Sequence, residues 1–493
     1  MGLAKTLYGC SPVWLQNVMV TAQGLVFNHR RMDVKLARSL LAELRESQWW
    51  DEERFRCHQD VRLREHIRFA ATHVPYYKEL FKRLGMNPED VRTVEDLTRL
   101  PLLEKSVIRK SPEAFLQGGK RSRSWNRLFT SGTTGSPMDL FSSRESFTRT
   151  WSFVFRLREW AGLRDPILPR RVQFTGRNIV PDKHIRSDGT FWRRNLAGNS
   201  LLMSTTHLSQ DTIEAYIEAI RRFSPELIDG YPSAIQIVAR FARTRDMRLP
   251  SPGAIITSAE TLLPEDRAVM ESAFGCKVFN QYASSDTGAF VCDCEEGNLH
   301  LNPEFGICEI LRPDGRPAGP GEEGEIVTTS FCNTEQVFIR YRIGDLAIQG
   351  PEERCPCGRM MPRIQAVTGR VDDILFVPGR GFVGRLDPIF KSLSSIWEAQ
   401  IVQESLERLR VKVVPDSGYD GASRAALEAS LREKVGPDVD VVIDEVGEIP
   451  RGPNGKFQSV RSLCKDQYPE IREEKSSSVP GVELPRFGEN RSA

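Results

Sequence analysis

From residue 33 to about residue 100 the apolar side chains recur three and four positions apart among charges. The stretch "VKLARSLLAELRESQWWDEERFRCHQDVRLREHIRFAATHV" therefore predicts amphipathic helices, with a restart at Pro75 in "HVPYYKELF". "NPEDVRTVEDLTRLP" reads as a short capped helix ending before Pro101. Farther on, "DTIEAYIEAIRRFSPELIDGYPSAIQIVARFARTRDM" and "GAIITSAETLLPEDRAVMESAFGCKVFNQYASSD" alternate helical periods with short β-rich runs. That alternation predicts a mostly parallel sheet flanked by helices. Between about 305 and 350 the runs shorten to "GICEIL", "GEIVTTSF" and "FIRYRIGDLAI", β-branched and aromatic, with glycine-rich turns between them. They predict an antiparallel or barrel-like β segment. "EAQIVQES", "LRVKVVP", "ASRAALEASLREKV" and "DVVIDEV" then read as strand, strand, helix and strand. The expected fold is α/β, with a large domain over 1–370 and a small α+β domain over 371–466. The polar stretch 467–493 has little periodicity and is expected to be disordered.

At 493 residues the chain is too long for one ordinary core, which fits two domains. A net charge of +2 is not that of a strongly basic nucleic-acid binder, so no nucleic-acid partner is expected. The local cluster "GGKRSRSWNR" at 118–127 reads as a solvated loop. No run of 18 apolar residues predicts a transmembrane helix. In "MGLAKTLYGCSPVWLQNVMVTAQGLVF" Gln16, Asn17 and Gln23 interrupt the apolar run, so it lacks the core of a signal peptide. "MGLAKT" fits the myristoylation pattern at Gly2 and Thr6. For the amphipathic helix near the start two readings stand, lying on a membrane or packing on the protein, with packing the default. The expected location is the cytoplasm; the oligomeric state stays open.

Candidate chemistry begins at "LFTSGTTGSPMDL", residues 128–140. Gly132 and Gly135 allow positive φ and close approach of a ligand. Thr130, Ser131, Thr133 and Thr134 surround them with hydroxyls, and the backbone N–H groups can form an anion nest. This is the chemistry of a phosphate cradle, although no Gly-Lys-Ser/Thr follows as in a P-loop. Four of the ten cysteines sit in two pairs, "CDC" at 292–294 and "CPC" at 355–357. Without an export signal they point to a metal site in a reducing compartment, not to disulfides. His300 adds an imidazole six residues after Cys294. Three thiolates and one imidazole suit tetrahedral zinc, and Gly358 eases the turn after Cys355 and Cys357. Cys292 competes with Cys294 for the first place.

The ordered stretches "TSGTTGSP", "YASSD", "YRIGD", "GRVDD" and "PRGPNGK" resemble those of the adenylate-forming ligases. "LPLLEKS", "LIDGYPSAI" and the cysteine pairs narrow the resemblance to the phenylacetate–CoA ligase branch, and most to its capsular-polysaccharide-associated members. The resemblance covers about residues 10–466 and implies a two-step reaction. A carboxylate attacks the α-phosphate of ATP, and a thiol or amine then displaces AMP. It implies phosphate binding at 130–137, with Thr133 in the catalytic set, and a cation at the α-phosphate from Lys456. Asp345 would accept from the ribose hydroxyls, and Arg370 would donate to ribose or phosphate. Tyr282, Ala283, Ser284 and Ser285 would line the adenine or acyl site, and Asp286 would hold Mg2+. Ser258, Ala259 and Glu260 would touch the base. His207, Gly230, Tyr231 and Pro232 would wall the acyl pocket at a strand end. Asp372 would be the hinge of the small domain. In the family pattern the metal ligand precedes "EEG", which favours Cys294 over Cys292. Two positions depart from that pattern: Ala283 stands for Gly, and Asp286 for Glu. The implied cofactors are ATP, Mg2+, structural Zn2+ and coenzyme A as acceptor. The alternatives are an amine acceptor in surface-polysaccharide synthesis, or a scaffold that binds nucleotide without adenylating.

Overall fold

A computed structural model describes residues 2–129, 138–176, 179–181, 189–205, 207–209, 211–284, 286, 288–370, 375–378, 381–383, 386, 389, 395–416, 418–451, 457–464 and 467. Five helices open the chain: α1 (Gly2–Cys10), α2 (Val13–Arg31), α3 (Val34–Ser47), α4 (Glu52–His73) and α5 (Pro75–Leu84). Their limits follow from capping chemistry. The Asp33 carboxylate accepts from the Lys35 and Leu36 amides at 3.1 Å, and Asp51 accepts from Arg54 N at 2.8 Å. Val74 is extended ahead of Pro75, which takes the first position of α5, and Gly85 closes that helix at φ 60°. In "NPEDVRTVEDLTRLP" the short capped helix is present as the 3-10 helix Val94–Arg99, ending before Pro101, with a further 3-10 turn at Pro88–Asp90. Asp96, three residues after the Thr93 cap, accepts from the Arg92 and Thr93 amides as the acid of a capping box does.

Past α6 (Lys105–Lys110), the hairpin strands β1 (Asn126–Phe129) and β2 (Asp139–Ser142) flank residues 130–137. Helix α7 (Arg144–Trp160) precedes β3 (Arg171–Thr175), β4 (Trp192–Asn195) and β5 (Ser200–Ser204). Then come α8 (Ile213–Phe223), β6 (Leu227–Gly230), α9 (Pro232–Thr244), β7 (Ala254–Ser258), α10 (Pro264–Phe274) and β8 (Val278–Ala283). The β-rich segment holds β9 (Phe290–Asp293), β10 (Leu299–Leu301), β11 (Gly306–Leu311), β12 (Glu323–Ser330), β13 (Tyr341–Gln349) and β14 (Arg363–Arg370). These form one 12-stranded sheet in the order β11-β12-β13-β14-β10-β9-β8-β7-β6-β3-β5-β4. Strands β5, β3, β6, β7 and β8 are parallel, as the helix–strand alternation requires. Among β9–β14 every pairing is antiparallel, so the β-rich segment continues the sheet instead of closing on itself.

One apolar core lies between α8–α10 and the parallel half, another between α4–α5 and the antiparallel half. The C-terminal part has its own core and a four-stranded sheet. After β15 (Leu375–Val377) and β16 (Gly381–Val383) come β17 (Ile396–Ser405), β18 (Arg408–Pro415), α11 (Gly421–Val435), β19 (Asp440–Glu445) and β20 (Val460–Ser462). β20 pairs parallel to β17, so the chain returns to the sheet just after residues 452–456.

A buried ion pair ties the helical entry to the sheet. Arg156 of α7, 1% exposed, meets Glu304 at 2.7 Å and donates to Asn302 Oδ1 and to the Leu44 carbonyl at the end of α3. Burial alone would raise the Glu304 pKa. The Arg156 charge and hydrogen bonds from Arg156 and Ser47 outweigh it and hold the carboxyl below its ordinary value. A depressed folded pKa stabilises above the unfolded value of 4.5 and loses that contribution as pH falls through the folded value. Glu304→Ala leaves a buried guanidinium without its charge partner, which costs about 3–5 kcal/mol. The expected result is a lower urea midpoint for the variant at neutral pH and a narrowing gap to wild type below pH 4.5. Equal midpoints at neutral pH would show that the pair carries no stability.

Candidate functional site

The parallel strands end together on one face, and the sequence-derived candidates at 230–232, 258–260 and 282–284 lie there. Gly230 ends β6, Ser258 ends β7, and Ala283 ends β8. Ladder partners Gly230↔Thr257 and Ser258↔Gln281 hold these ends level. Open α/β sheets bind ligands outside the carboxyl ends of their strands. Gly230 is at φ 150°, and a Cβ there would lie 2.7 Å from Phe174 Cβ and 2.8 Å from the Phe174 carbonyl oxygen. Glycine therefore lets β6 run against the end of β3. Tyr231 and Pro232 follow, Pro232 at the first position of α9. Ala259, at φ 71°, turns the chain so that the Glu260 carboxylate accepts from Ser233 N at 3.1 Å. His207 is half-buried; its Nδ1 lies 2.9 Å from Ser204 Oγ and its carbonyl accepts from Thr212 Oγ1.

Beyond β8 the chain enters a pocket of acids and phenols. Tyr282 Oη donates to Asp345 Oδ2 at 2.7 Å, which links the last parallel strand to β13. Asp345 stands opposite Arg370 in the β13–β14 ladder. Asp286 and Asp345 are both buried. Burial, then the Asp345 and Asp286 charges, push the Tyr282 pKa well up, and burial and the same two acids do so for Tyr341. Tyr341 Oη lies beside the Asp286 carboxylate. Yet neither Oη nor Asp286 Oδ1 completes a hydrogen bond of normal geometry among the described residues. Tyr341 was not singled out from the sequence, although it opens the same "YRIGD" motif that marks Asp345. Ser284 Oγ accepts from the Gly288 and Ala289 amides, which holds the end of β8 to the start of β9. A Cβ at Gly288 would meet Thr328 Oγ1 at 2.7 Å.

Thr130, Ser131, Gly132, Thr133, Thr134, Gly135, Ser285, Asp372 and Lys456 lie outside the described residues. Phe457, the residue after Lys456, is described, and its amide donates to Glu260 Oε1 at 3.3 Å. Around it, Arg451 pairs with Glu398 and lies 4.7 Å over the Phe457 ring. Trp397 packs against the core of the parallel half. The C-terminal part thus rests on the face where β6, β7 and β8 end.

Cys294, His300, Cys355 and Cys357 come together with all donor atoms within 4.8 Å of one another. Cys294 Sγ and Cys355 Sγ are 3.8 Å apart, and Cys357 Sγ is 3.5 Å from His300 Nε2. An ion bonded tetrahedrally to sulfur and nitrogen spaces its donors by about 3.8 Å (S–S) and about 3.6 Å (N–S). His300 Nδ1 donates to the Met361 carbonyl at 3.1 Å, which leaves the Nε2 lone pair for a metal. Burial, foremost, pushes the His300 pKa down to about 4, so the ring is neutral. Burial also pushes the Cys294 thiol up to about 12, so a thiolate there needs a cation. Cys292 stands outside the four, with its sulfur 3.9 Å from Asn302 Nδ2. The surroundings are aromatic and cationic. Arg359 lies 4.1 Å over Trp160 and 4.9 Å over Trp49, and Gln48 Oε1 accepts from both Trp160 Nε1 and Arg359 Nε.

The solved structure of 2-hydroxyisobutyryl-CoA ligase, in the postadenylation state in complex with R3-HIB-AMP, matches with a TM-score of 0.64 at 20% identity. The match covers 84% of this chain and 90% of that one. The chain therefore has the fold of the adenylate-forming ligases. Within that class, residues 375–462 match the family model of the CapK C-terminal domain. The chain is 28% identical over 455 residues to protein CapK of Staphylococcus aureus, covering 91% of this chain and 97% of that one. It is 25% identical over 451 residues to phenylacetate-coenzyme A ligase of Thermus thermophilus, covering 84% and 97%. The resemblance read from the motifs thus extends over 91% of the chain for CapK and 84% for the phenylacetate-coenzyme A ligase.

The close approach at Gly230 yields a direct test. Gly230→Ala forces β3 and β6 apart at the site, at a cost of about 1–3 kcal/mol. A lower melting temperature by scanning fluorimetry is expected. An unchanged one would show that Phe174 yields without penalty.

Proposed function

We propose that this chain is an ATP-dependent ligase that activates a carboxylic acid as its acyl-adenylate and then transfers the acyl group to coenzyme A. The observation that carries this reading is the hydrogen bond from Phe457 N to Glu260. It brings the segment next to Lys456 onto the strand ends that also carry Asp286 and Tyr282. An ammonium group there would face the α-phosphate, where negative charge builds as the carboxylate attacks.

In the first half-reaction the acid's oxygen bonds to the α-phosphorus and pyrophosphate leaves. Residues 130–137 hold the β- and γ-phosphates through amides and hydroxyls. Asp345, oriented by Tyr282, accepts from the ribose hydroxyls, and Arg370 donates beside it. Ser258, Ala259 and Glu260 border the base, and Ala283, Ser284 and Ser285 join them in its site. His207, Gly230, Tyr231 and Pro232 border the acyl group. Asp286 Oδ1 is buried and unpartnered among the described residues, which suits a hard cation. Mg2+ bound there would offset the charge of the phosphates. In the second half-reaction the thiol sulfur attacks the acyl carbon and AMP leaves. A swing about Asp372 withdraws Lys456 and opens the thiol's path. The coenzyme A ligases among the relatives support a thiol acceptor. The cysteine cluster is a structural zinc site, since its four donors leave no open position for substrate.

ATP–pyrophosphate exchange tests the first step across a panel of carboxylic acids. Exchange with at least one acid is expected, and Lys456→Ala should lower it by about 10²–10³-fold. No exchange with any acid, or an unaffected variant, would overturn the reading. AMP release stimulated by coenzyme A but not by amines would fix the acceptor as the thiol. For the cluster, elemental analysis should find about one zinc per chain, lost in Cys355→Ser together with a lower melting temperature. Wild-type protein free of metal at full stability would remove zinc from the account.

A further inference from the structure

The first two helices are built inside out. The side of α2 that faces the protein is rich in polar groups. Gln16 Nε2 donates to the Tyr8 and Ser11 carbonyls, and Gln16 Oε1 accepts from Arg193 of β4. Asn17 Oδ1 accepts from Arg194 N at 2.9 Å, and Thr21 Oγ1 accepts from Leu196 N at 3.1 Å. Asn28 Nδ2 donates to the Ala197 carbonyl at 3.2 Å. These groups cover β4, the edge strand of the large sheet, and use its free backbone positions. The helix is thereby rotated so that its apolar stripe points outward. Trp14, Val18, Leu25 and Val26 recur at helical spacing and are each more than half exposed. Leu7 of α1 and Leu196 beside Thr21 are exposed to the same degree. Tyr8 meanwhile anchors α1 inward, donating to the Ile179 carbonyl at 2.6 Å.

The charge of this segment names its partner. Residues 1–32 contain Lys5, Arg30 and Arg31 and no aspartate or glutamate. An apolar helix face with an exposed tryptophan and an all-cationic charge set matches the interface of an anionic bilayer. We infer that α1 and α2 dock this protein on an anionic lipid surface, with Trp14, Val18 and Leu25 entering the headgroup boundary. The polar grip on β4 keeps the helices attached to the sheet while their apolar side enters lipid. The inference is independent of the ligase reading, because no residue of the site contributes to it.

Vesicle flotation of the full chain tests it. Wild type should float with vesicles of phosphatidylglycerol and phosphatidylcholine in equal parts, and not with phosphatidylcholine alone. Added salt should weaken the binding without abolishing it. The combined variant Trp14→Glu, Val18→Glu and Leu25→Glu should lose about tenfold or more in vesicle affinity. Because those side chains are exposed, its melting temperature should match wild type. As a second arm, Lys5→Glu with Arg30→Glu should remove the preference for anionic vesicles. The inference fails if wild type floats with neither vesicle, or if the triple variant binds as wild type does. It also fails if the face instead closes on a second copy, seen as a dimer that the triple variant abolishes without any vesicle binding.

Discussion

Buried negative charge is the constraint around which this structure is arranged. Asp286 and Asp345 are both shielded from solvent, and a carboxylate in such a place needs donors or a cation. Tyr282 supplies one donor to Asp345, and Tyr341 stands by Asp286 with its proton held on by burial and by both charges. The Tyr282 bond also joins the last parallel strand to the antiparallel half of the sheet. The change of strand direction at β8 and β9 is thus where the acids collect. Gly288 fits there because it has no side chain to press on Thr328.

A second consequence is that distant parts of the chain are brought to this place by different forces. The C-terminal part reaches it through Trp397 in an apolar core and through the Phe457 amide on Glu260. Among the described residues this is a lighter hold than a large apolar interface would give. The helical entry is held more firmly. Arg156 joins α3 and α7 to Asn302 and Glu304, and Gln48 with Trp160 joins them to Arg359 above the cysteine cluster. Side chains packed beside the cluster, Gln48 and Trp160, therefore come from the helical entry, far from it in sequence.

Much of the fold was legible from periodicity. The runs over 213–283 became alternating helices and parallel strands, and the short runs over 306–349 became antiparallel strands. The capping signal at 93–96 was legible too: Asp96 bends back to the Arg92 and Thr93 amides as a capping box, and the short helix it opens is a 3-10 helix. The cysteine alternatives were not separable by spacing, because Cys292 and Cys294 are two apart. Strand β9 ends at Asp293, so Cys294 falls in the following turn and reaches Cys355, while Cys292 stays in the ladder beside Asn302.

By itself, the sequence determined which groups are chemically available: the acids, phenols and thiols, the glycines that permit close approach, and the periods that make helices and strands. Those properties are local, set by residue type and by spacing of a few positions. The tertiary structure alone decided which of them meet. Tyr341 with Asp286, Phe457 with Glu260, and Arg156 with Glu304 are pairings across long stretches of chain, settled by strand order and packing. The outward turn of α2 is of the same kind. Periodicity defines its apolar stripe, but only the hydrogen-bonding demand of an edge strand decides which side faces water.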